Sequence, residues 1–252
     1  MTPRDDVTIV IPARNEAASV GDVIRGCATH AARILVIVDR RSNDGTIDQA
    51  TAAGAEVLID GGRGKGHAMR QAIPHILTPI TVFIDADGSH DCHDIARLLQ
   101  PILDCTADHV SASRLKGGSS ELHGGFDEFF RLAGSSLITA CINRRFGVCL
   151  SDSQNGFRAI RTCVLRALDL CSDSTTIEQE MIIRTLGLGF RMDEVASHEY
   201  RRVAGTSNVK LWRVAVRYVC NAVRHLYLTF YPKQVGAIPA PPRGATRKPA
   251  RL

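Results

Sequence analysis

Ile80-Thr-Val-Phe-Ile84, followed at once by Asp85-Ala-Asp-Gly-Ser-His90, is the stretch that decides the fold. A short run of β-branched and apolar residues without polar alternation fits a strand buried on both faces, as in a parallel sheet covered by helices. The acidic turn then falls at the carboxyl end of that strand, where open α/β sheets bind their ligands. Asp-x-Asp alone is common in solvated turns; its place after a buried strand gives it weight. A turn lets both carboxylates approach one hard cation, and such oxygen ligands suit Mg²⁺ or Mn²⁺, which also bridges a diphosphate. Asp85 and Asp87 are the candidate metal ligands.

The same grammar extends outward on both sides. Val7–Ile11 and Ile34–Val38 are short buried strands, each ending in a polar loop: Pro12-Ala-Arg-Asn-Glu16 and Asp39-Arg-Arg-Ser-Asn-Asp-Gly-Thr46. Helices are expected over 19–29, with Ser19 as N-cap, and over 46–53. A third strand is expected near 55–58, then a flexible glycine loop, Gly61–Gly66, and a short helix ending near Pro74. A helix over 93–104 and a strand near 109–112 follow. Strands alternating with helices predict an α/β fold with a mostly parallel, helix-flanked sheet.

Beyond residue 113 the pattern changes. A helix over 126–145, a loop passing into a strand over 151–160, and a helix over 176–187 with Thr175 and Glu178 as a capping box are expected. Short strands near 191–195 and 198–202 precede a last helix over 211–230. No linker separates the halves, so residues 1–210 are expected to fold as one catalytic domain.

At 252 residues the chain can bury a substantial core, and 44% hydrophobic with 23% charged residues excludes a disordered or fibrous chain. No apolar run approaches the roughly 18 residues that span a bilayer. The start, Met-Thr-Pro-Arg-Asp-Asp, has no apolar region of a secretory signal, so the eight scattered cysteines are expected to be reduced thiols in the cytosol. The net charge of +5 resides in residues 232–252, where Lys233, Arg243, Arg247, Lys248 and Arg251 stand among five prolines with no acid. That tail is expected to be disordered. It is either a solubilising tail or an arm drawn to an anionic membrane surface. Without interleaved aromatics it is not a nucleic-acid arm.

Other nucleotide loops fail. Gly64-Lys65 is followed by Gly66 instead of Ser or Thr, so this is no P-loop, and the first strand lacks the glycine turn of a dinucleotide fold. His67, His90 and His93 lie on separate turns and suit structural or exposed roles.

The motifs together resemble the family-2 nucleotide-sugar glycosyltransferases of the GT-A (Rossmann-like) fold, most of all the polyprenol-phosphate (dolichol-phosphate) mannosyltransferase branch. The resemblance runs over about residues 7–212. It rests on Ile11-Pro-Ala-Arg-Asn-Glu16, Val38–Thr46, Arg63-Gly-Lys-Gly-His-Ala68, Asp85–His90, Ser151-Asp-Ser-Gln-Asn-Gly-Phe-Arg158, Glu178-Gln-Glu180 and Arg202-Val-Ala-Gly-Thr-Ser207, in that order. It implies that Pro12, Asn15, Glu16 and Asp39 hold the nucleoside, that Arg63 and Lys65 lie near the donor, and that Asp85 and Asp87 hold metal and diphosphate. It makes Asp87 and Arg202 the catalytic pair, Arg202 clamping the leaving diphosphate. Arg114, Arg131 and Ser135 become acceptor-phosphate ligands, and Asp152 and Asn155 line the sugar site. One position departs: the family usually has a second Asp after Asp39, and here Arg40 stands there.

The implied activity is inverting transfer of mannose or glucose to a polyprenyl phosphate, with GDP-mannose the favoured donor and UDP-glucose the alternative. The implied cofactor is Mg²⁺ or Mn²⁺, and the expected place is the cytoplasm, attached peripherally to a membrane. Two rivals stand beside it. One is transfer to a soluble or glycan hydroxyl, with Asp152 or Glu180 as base; the other is a nucleotide-sugar-binding protein without catalysis. The last helix, 211–231, carries Trp212, Val216, Val219, Val223, Leu226 and Phe230 on one face and Arg213, Arg217 and Arg224 on another. It docks on the domain or lies in a headgroup boundary.

Overall fold

The computed structural model describes residues 3–120, 126–202 and 211–229, the side chains of 126–133 and 211–216 excepted. Seven strands form one sheet: β1 (Arg4–Ala13), β2 (Ala31–Asp39), β3 (Glu56–Asp60), β4 (Ile80–Phe83), β5 (His109–Ser113), β6 (Arg158–Arg161) and β7 (Met192–Ala196). Their order is β3-β2-β1-β4-β6-β5-β7. Val7, Ile9, Val10 and Ile11 are fully buried because β1 lies between β2 and β4 with helices on both faces. The β1–β2, β1–β4, β2–β3 and β5–β7 pairs are parallel.

Nine helices join them: α1 (Val20–Cys27), α2 (Thr46–Ala52), α3 (Lys65–Ala72), α4 (Ile95–Leu103), α5 (Arg114–Gly117), α6 (Phe126–Phe146), α7 (Thr162–Ala167), α8 (Ile177–Gly187) and α9 (Leu211–Val223). One core layer packs Val23, Ile24, Leu98 and Ile102 of α1 and α4 against the sheet. The opposite layer packs Met69, Leu165 and Met181 of α3, α7 and α8. Burying each such side chain contributes about 1.5–3 kcal/mol. A third cluster joins α6, α8 and α9 through Ile138, Ile142, Ile182, Ala222 and Leu226.

Several expectations need correction. β6 runs antiparallel to both β4 and β5. Lys65 and Gly66 belong to α3 and not to a loop. α7 was not foreseen. The 198–202 segment is no strand; Glu199 makes only isolated bridges to His90 and Ser119. The capping box at Thr175 is absent: Thr176 occupies the N-cap position of α8 without a side-chain bond, and Glu178 turns inward to an ion pair. Ser19 does cap α1 by position, but its hydroxyl faces Glu16 instead of the helix N–H groups.

Past Val223 the last helix continues as a π-turn over Arg224–Leu228. Its expected apolar stripe divides. Leu226 and Ala222 enter the third cluster, while Val219, Val223, Tyr227 and Leu228 are exposed beside exposed Arg217 and Arg224. Trp212, Val216 and Arg213 have side chains outside the described ones, and Phe230 and the 232–252 tail lie outside the described residues. No helix among the described residues is long and apolar enough to cross a membrane.

Candidate active site

A cleft of about 260 Å³ opens where the carboxyl ends of β1, β2, β3 and β4 meet, walled by Pro12, Glu16, Asp39, Asp60, Asp85, Asp87 and the facing Lys65 and Arg202. Proline suits the end of β1, where a missing N–H costs the ladder least. The loop after β1 is stitched to the one after β2. Asn15, at a positive φ of 54°, accepts the Asn43 N–H on its Oδ1 and donates its own N–H to Ser42. Glu16 N–H donates to Thr46 Oγ1 at 2.9 Å. Asn15 therefore shapes the loop, and Glu16 and Pro12 face the cleft.

Asp39, ending β2, accepts three donors from Arg41: its backbone N–H at 2.8 Å, Nε at 2.9 Å and Nη2 at 2.6 Å. The Arg41 guanidinium holds this carboxyl below the usual range.

Asp85 and Asp87 have different surroundings. Lys65 Nζ reaches Asp85 Oδ1 at 2.5 Å and Glu178 Oε1 at 2.7 Å, so one ammonium joins α3, the β4 turn and α8. Burial alone would raise the Asp85 carboxyl; the Lys65 charge outweighs it and leaves it well below the usual range. The same two acids raise the Lys65 ammonium against its own burial. A Cβ on Gly156 would stand 2.7 Å from Asp85 Oδ2 and 2.8 Å from Lys65 Nζ, which explains a glycine in the Asn155-Gly-Phe157 turn. Asn155 fixes that turn by accepting the Phe157 N–H on Oδ1.

Asp87 Oδ1 is held by the Ser89 N–H and hydroxyl at 3.0 and 2.6 Å, while Oδ2 faces Arg202 Nε at 3.3 Å. Glu16 completes the acidic wall. Its carboxyl is pushed up to about 7, first by burial and then by Asp87, with a smaller push from Asp85. A proton retained near neutrality marks negative charge that Lys65 and Arg202 do not cancel. Clustered carboxylate oxygens with surplus charge fit a hard divalent cation, and Asp87, with Asp85 beside it, would hold it.

Across the sheet, the charges are spent on one another. Arg114, at the start of α5, grips Asp152 through Nε at 2.6 Å and Nη2 at 3.0 Å, and its Nη1 stands 3.5 Å from Glu199. Burial would raise the Asp152 carboxyl, but Arg114 keeps it low. Glu194 of β7 supports this pair. It accepts the backbone N–H groups of Ser151 and Asp152 and the Ser151 hydroxyl, with Lys116 at 3.0 Å. Sequence reading missed Glu194, Arg41 and Asp60; only their places beside motif residues could have flagged them.

The remaining candidates scatter. Arg63 turns to Asp173 at 2.7 Å, and so does Arg70. Ser135 lies on α6, partly buried, its carbonyl accepting Thr139. Arg131 lies on the same helix with a side chain outside the described ones. Glu180 is fully buried, accepts the N–H groups of Cys171 and Ser172, and pairs with Arg184 at 2.7 Å. The three histidines go to three different acids: His67 stands 3.7 Å from Asp60, His90 3.8 Å from Asp85, and His93 2.8 Å from Asp91.

Residues 8–167 match the model of glycosyl transferase family 2. Glycosyltransferase AglJ of Haloferax volcanii is 30% identical over 207 residues, covering 82% of this chain and 67% of the relative. A dolichyl-phosphate hexose transferase of the same organism is 27% identical, over 81% of this chain and 87% of its own. The UDP-N-acetylglucosamine–dolichyl-phosphate N-acetylglucosaminyltransferase of Methanococcus voltae is 24% identical, over 80% and 90%. Among solved structures, glucosyl-3-phosphoglycerate synthase of Mycobacterium tuberculosis, in complex with Mn²⁺, UDP and phosphoglyceric acid, superposes with a TM-score of 0.72 at 19% identity, covering 91% of this chain and 80% of that one. That likeness establishes the GT-A architecture alone. The chain belongs to glycosyl transferase family 2.

Proposed function

We propose that this family-2 glycosyltransferase moves a hexose from a nucleoside diphosphate sugar to a polyprenyl phosphate, inverting the anomeric carbon. The observation that carries the reading is the unequal pairing at the end of β4: Lys65 neutralises Asp85, while Asp87 faces the cleft beside Arg202 and a protonatable Glu16. A Mg²⁺ or Mn²⁺ bound there supplies Lewis-acid neutralisation of the departing diphosphate. Asp87 orients that charge, Lys65 fixes Asp85, and Arg202 offers a planar fork to the phosphate oxygens.

The acceptor side supports a phosphate nucleophile over a hydroxyl. A hydroxyl needs a base, yet Asp152 is locked to Arg114 with a depressed pKa and Glu180 is sealed behind Arg184. A phosphate monoester has its second pKa near about 6 and already presents an oxyanion at neutral pH. Arg114 steers that oxyanion by exchanging its long Glu199 contact for a phosphate oxygen, while Asp152 keeps the guanidinium oriented.

Two relatives are named for dolichyl phosphate, and one for a UDP-sugar. We therefore favour a UDP-hexose donor, with GDP-mannose as the rival. The exposed Val219, Val223, Tyr227 and Leu228 with Arg217 and Arg224 suit a peripheral headgroup contact that brings the lipid to the cleft.

The test incubates the protein with labelled UDP-glucose or GDP-mannose, Mn²⁺ and polyprenyl phosphate, and extracts into organic solvent. Label entering the organic phase supports the reading. Label transferred only to aqueous acceptors supports a hydroxyl acceptor, and donor binding with no transfer supports a non-catalytic protein.

A further inference from the structure

Asp60 closes β3 in register with Asp39 at the end of β2, and both carboxylates are buried in the wall of the cleft. Their hydrogen bonding differs. Asp39 has both oxygens engaged by Arg41. Asp60 Oδ1 accepts the Gly62 N–H at 2.6 Å, but its Oδ2 has no hydrogen-bond partner among the described residues. The His67 ring nitrogen stands 3.7 Å away, beyond hydrogen-bond distance, and has no hydrogen-bond partner of its own there. The side chain is only 1% exposed. A buried carboxylate oxygen without a donor is costly, and a ligand N–H would recover that cost.

Arg40, which departs from the family pattern, lies beside the same turn. A Cβ on Gly62 would meet the Nε of Arg40 and of Arg41 at 3.2 Å each, so two guanidinium groups flank the Asp60 turn. We propose that Asp60 reads the nucleobase of the donor, accepting the N3–H of a uracil ring on its free oxygen, with Arg40 and Arg41 as donors to the carbonyls beside N3. The inference rests on the nucleotide-sugar reading above and adds the base and the residue that selects it.

The chemistry separates the bases. A carboxylate can only accept. Uracil offers one ring N–H between two carbonyls, which matches one free acceptor between cations. Guanine offers adjacent N1–H and N2–H donors that call for both carboxylate oxygens, and Gly62 occupies one. Cytosine turns an acceptor, its unprotonated N3, toward the carboxylate.

Titration calorimetry in Mn²⁺ with UDP, N3-methyl-UDP, CDP, GDP and inorganic pyrophosphate tests this on wild type and Asp60→Asn. Wild type should bind UDP about ten-fold or more tightly than N3-methyl-UDP, CDP or GDP, as loss of a hydrogen bond to a charged group predicts. Asp60→Asn keeps an acceptor for Gly62 and presents an N–H in place of the free oxygen. UDP should then lose about ten-fold, CDP should lose nothing, and pyrophosphate should bind both proteins alike, which reports an intact cleft. Indifference of wild type to N3 methylation, preference for GDP, or a variant that still favours UDP over CDP overturns the assignment of Asp60 alone. A wild-type protein that binds no diphosphate overturns the donor reading, and this assignment with it.

Discussion

The two ends of the sheet treat charge in opposite ways. Around β1–β4, Glu16 keeps a proton to about pH 7 and Asp87 shares only a long contact with Arg202, so acid is in surplus. Around β5–β7, acids and bases cancel: Asp152 with Arg114, Glu194 with Lys116, and Asp108 with both Arg161 and Arg191. The difference teaches what each end is for. Surplus carboxylate is held ready for a cation and its anionic ligand, whereas cancelled charge fixes a loop and leaves an arginine oriented.

Breaking the acidic end should cost most. Asp87→Ala removes the carboxylate facing the cleft while losing only the Ser89 and Arg202 contacts, so turnover should fall about a thousand-fold with the fold retained. Near-normal activity of the purified variant would dissolve the contrast. Lys65→Met strands Asp85 and Glu178 without their shared cation. Removing one member of a buried pair is strongly destabilising, and with the partial exposure of Lys65 and Asp85 the loss should be about 2–4 kcal/mol, roughly 5–10 °C in melting temperature. An unchanged melt would show that Lys65 does not hold the turn.

At the cancelled end the effect should be smaller and of another kind. Asp152→Asn frees Arg114 from its bidentate partner. KM for the lipid phosphate should rise about ten-fold with donor affinity unchanged. A collapse of kcat at saturating acceptor would instead make Asp152 a base.

The smallest effect is a pH dependence. The Glu16 carboxyl titrates near 7 in the folded chain against an ordinary 4.5, so the native state holds this proton more tightly than the unfolded one. Its contribution to stability is complete below pH 4.5 and is lost as pH rises through 7. Glu16→Gln removes that loss. Between pH 5 and pH 8, wild type should fall by about 3 °C relative to the variant; parallel melting curves would contradict the surplus-charge account.

The acidic end was also the legible end. Val7–Ile11, Ile34–Val38 and Ile80–Ile84 announce buried strands by composition, and the loops that follow them need no distant partner to be found. The cancelled end is built from long-range pairs that no local pattern encodes. Arg158-Ala-Ile-Arg161 reads poorly as a buried strand, because a fully buried Arg158 is tolerable only where the Glu178 carbonyl accepts its guanidinium. Glu178 itself looks like a capping residue until Lys65, far away in sequence, is placed beside it. Arg63 sits in a motif yet spends its charge on Asp173. Asp60 has no motif at all; its free oxygen is visible only once the strands are in register.

The measurement that bears most directly on the account is Mn²⁺ titration of wild type and Asp87→Asn, with and without UDP present. Wild type should bind Mn²⁺ and UDP with mutual enhancement, each tightening the other by the same factor, and the amide variant should lose that coupling. UDP affinity that ignores Mn²⁺ in wild type, or coupling that survives in the variant, would contradict it.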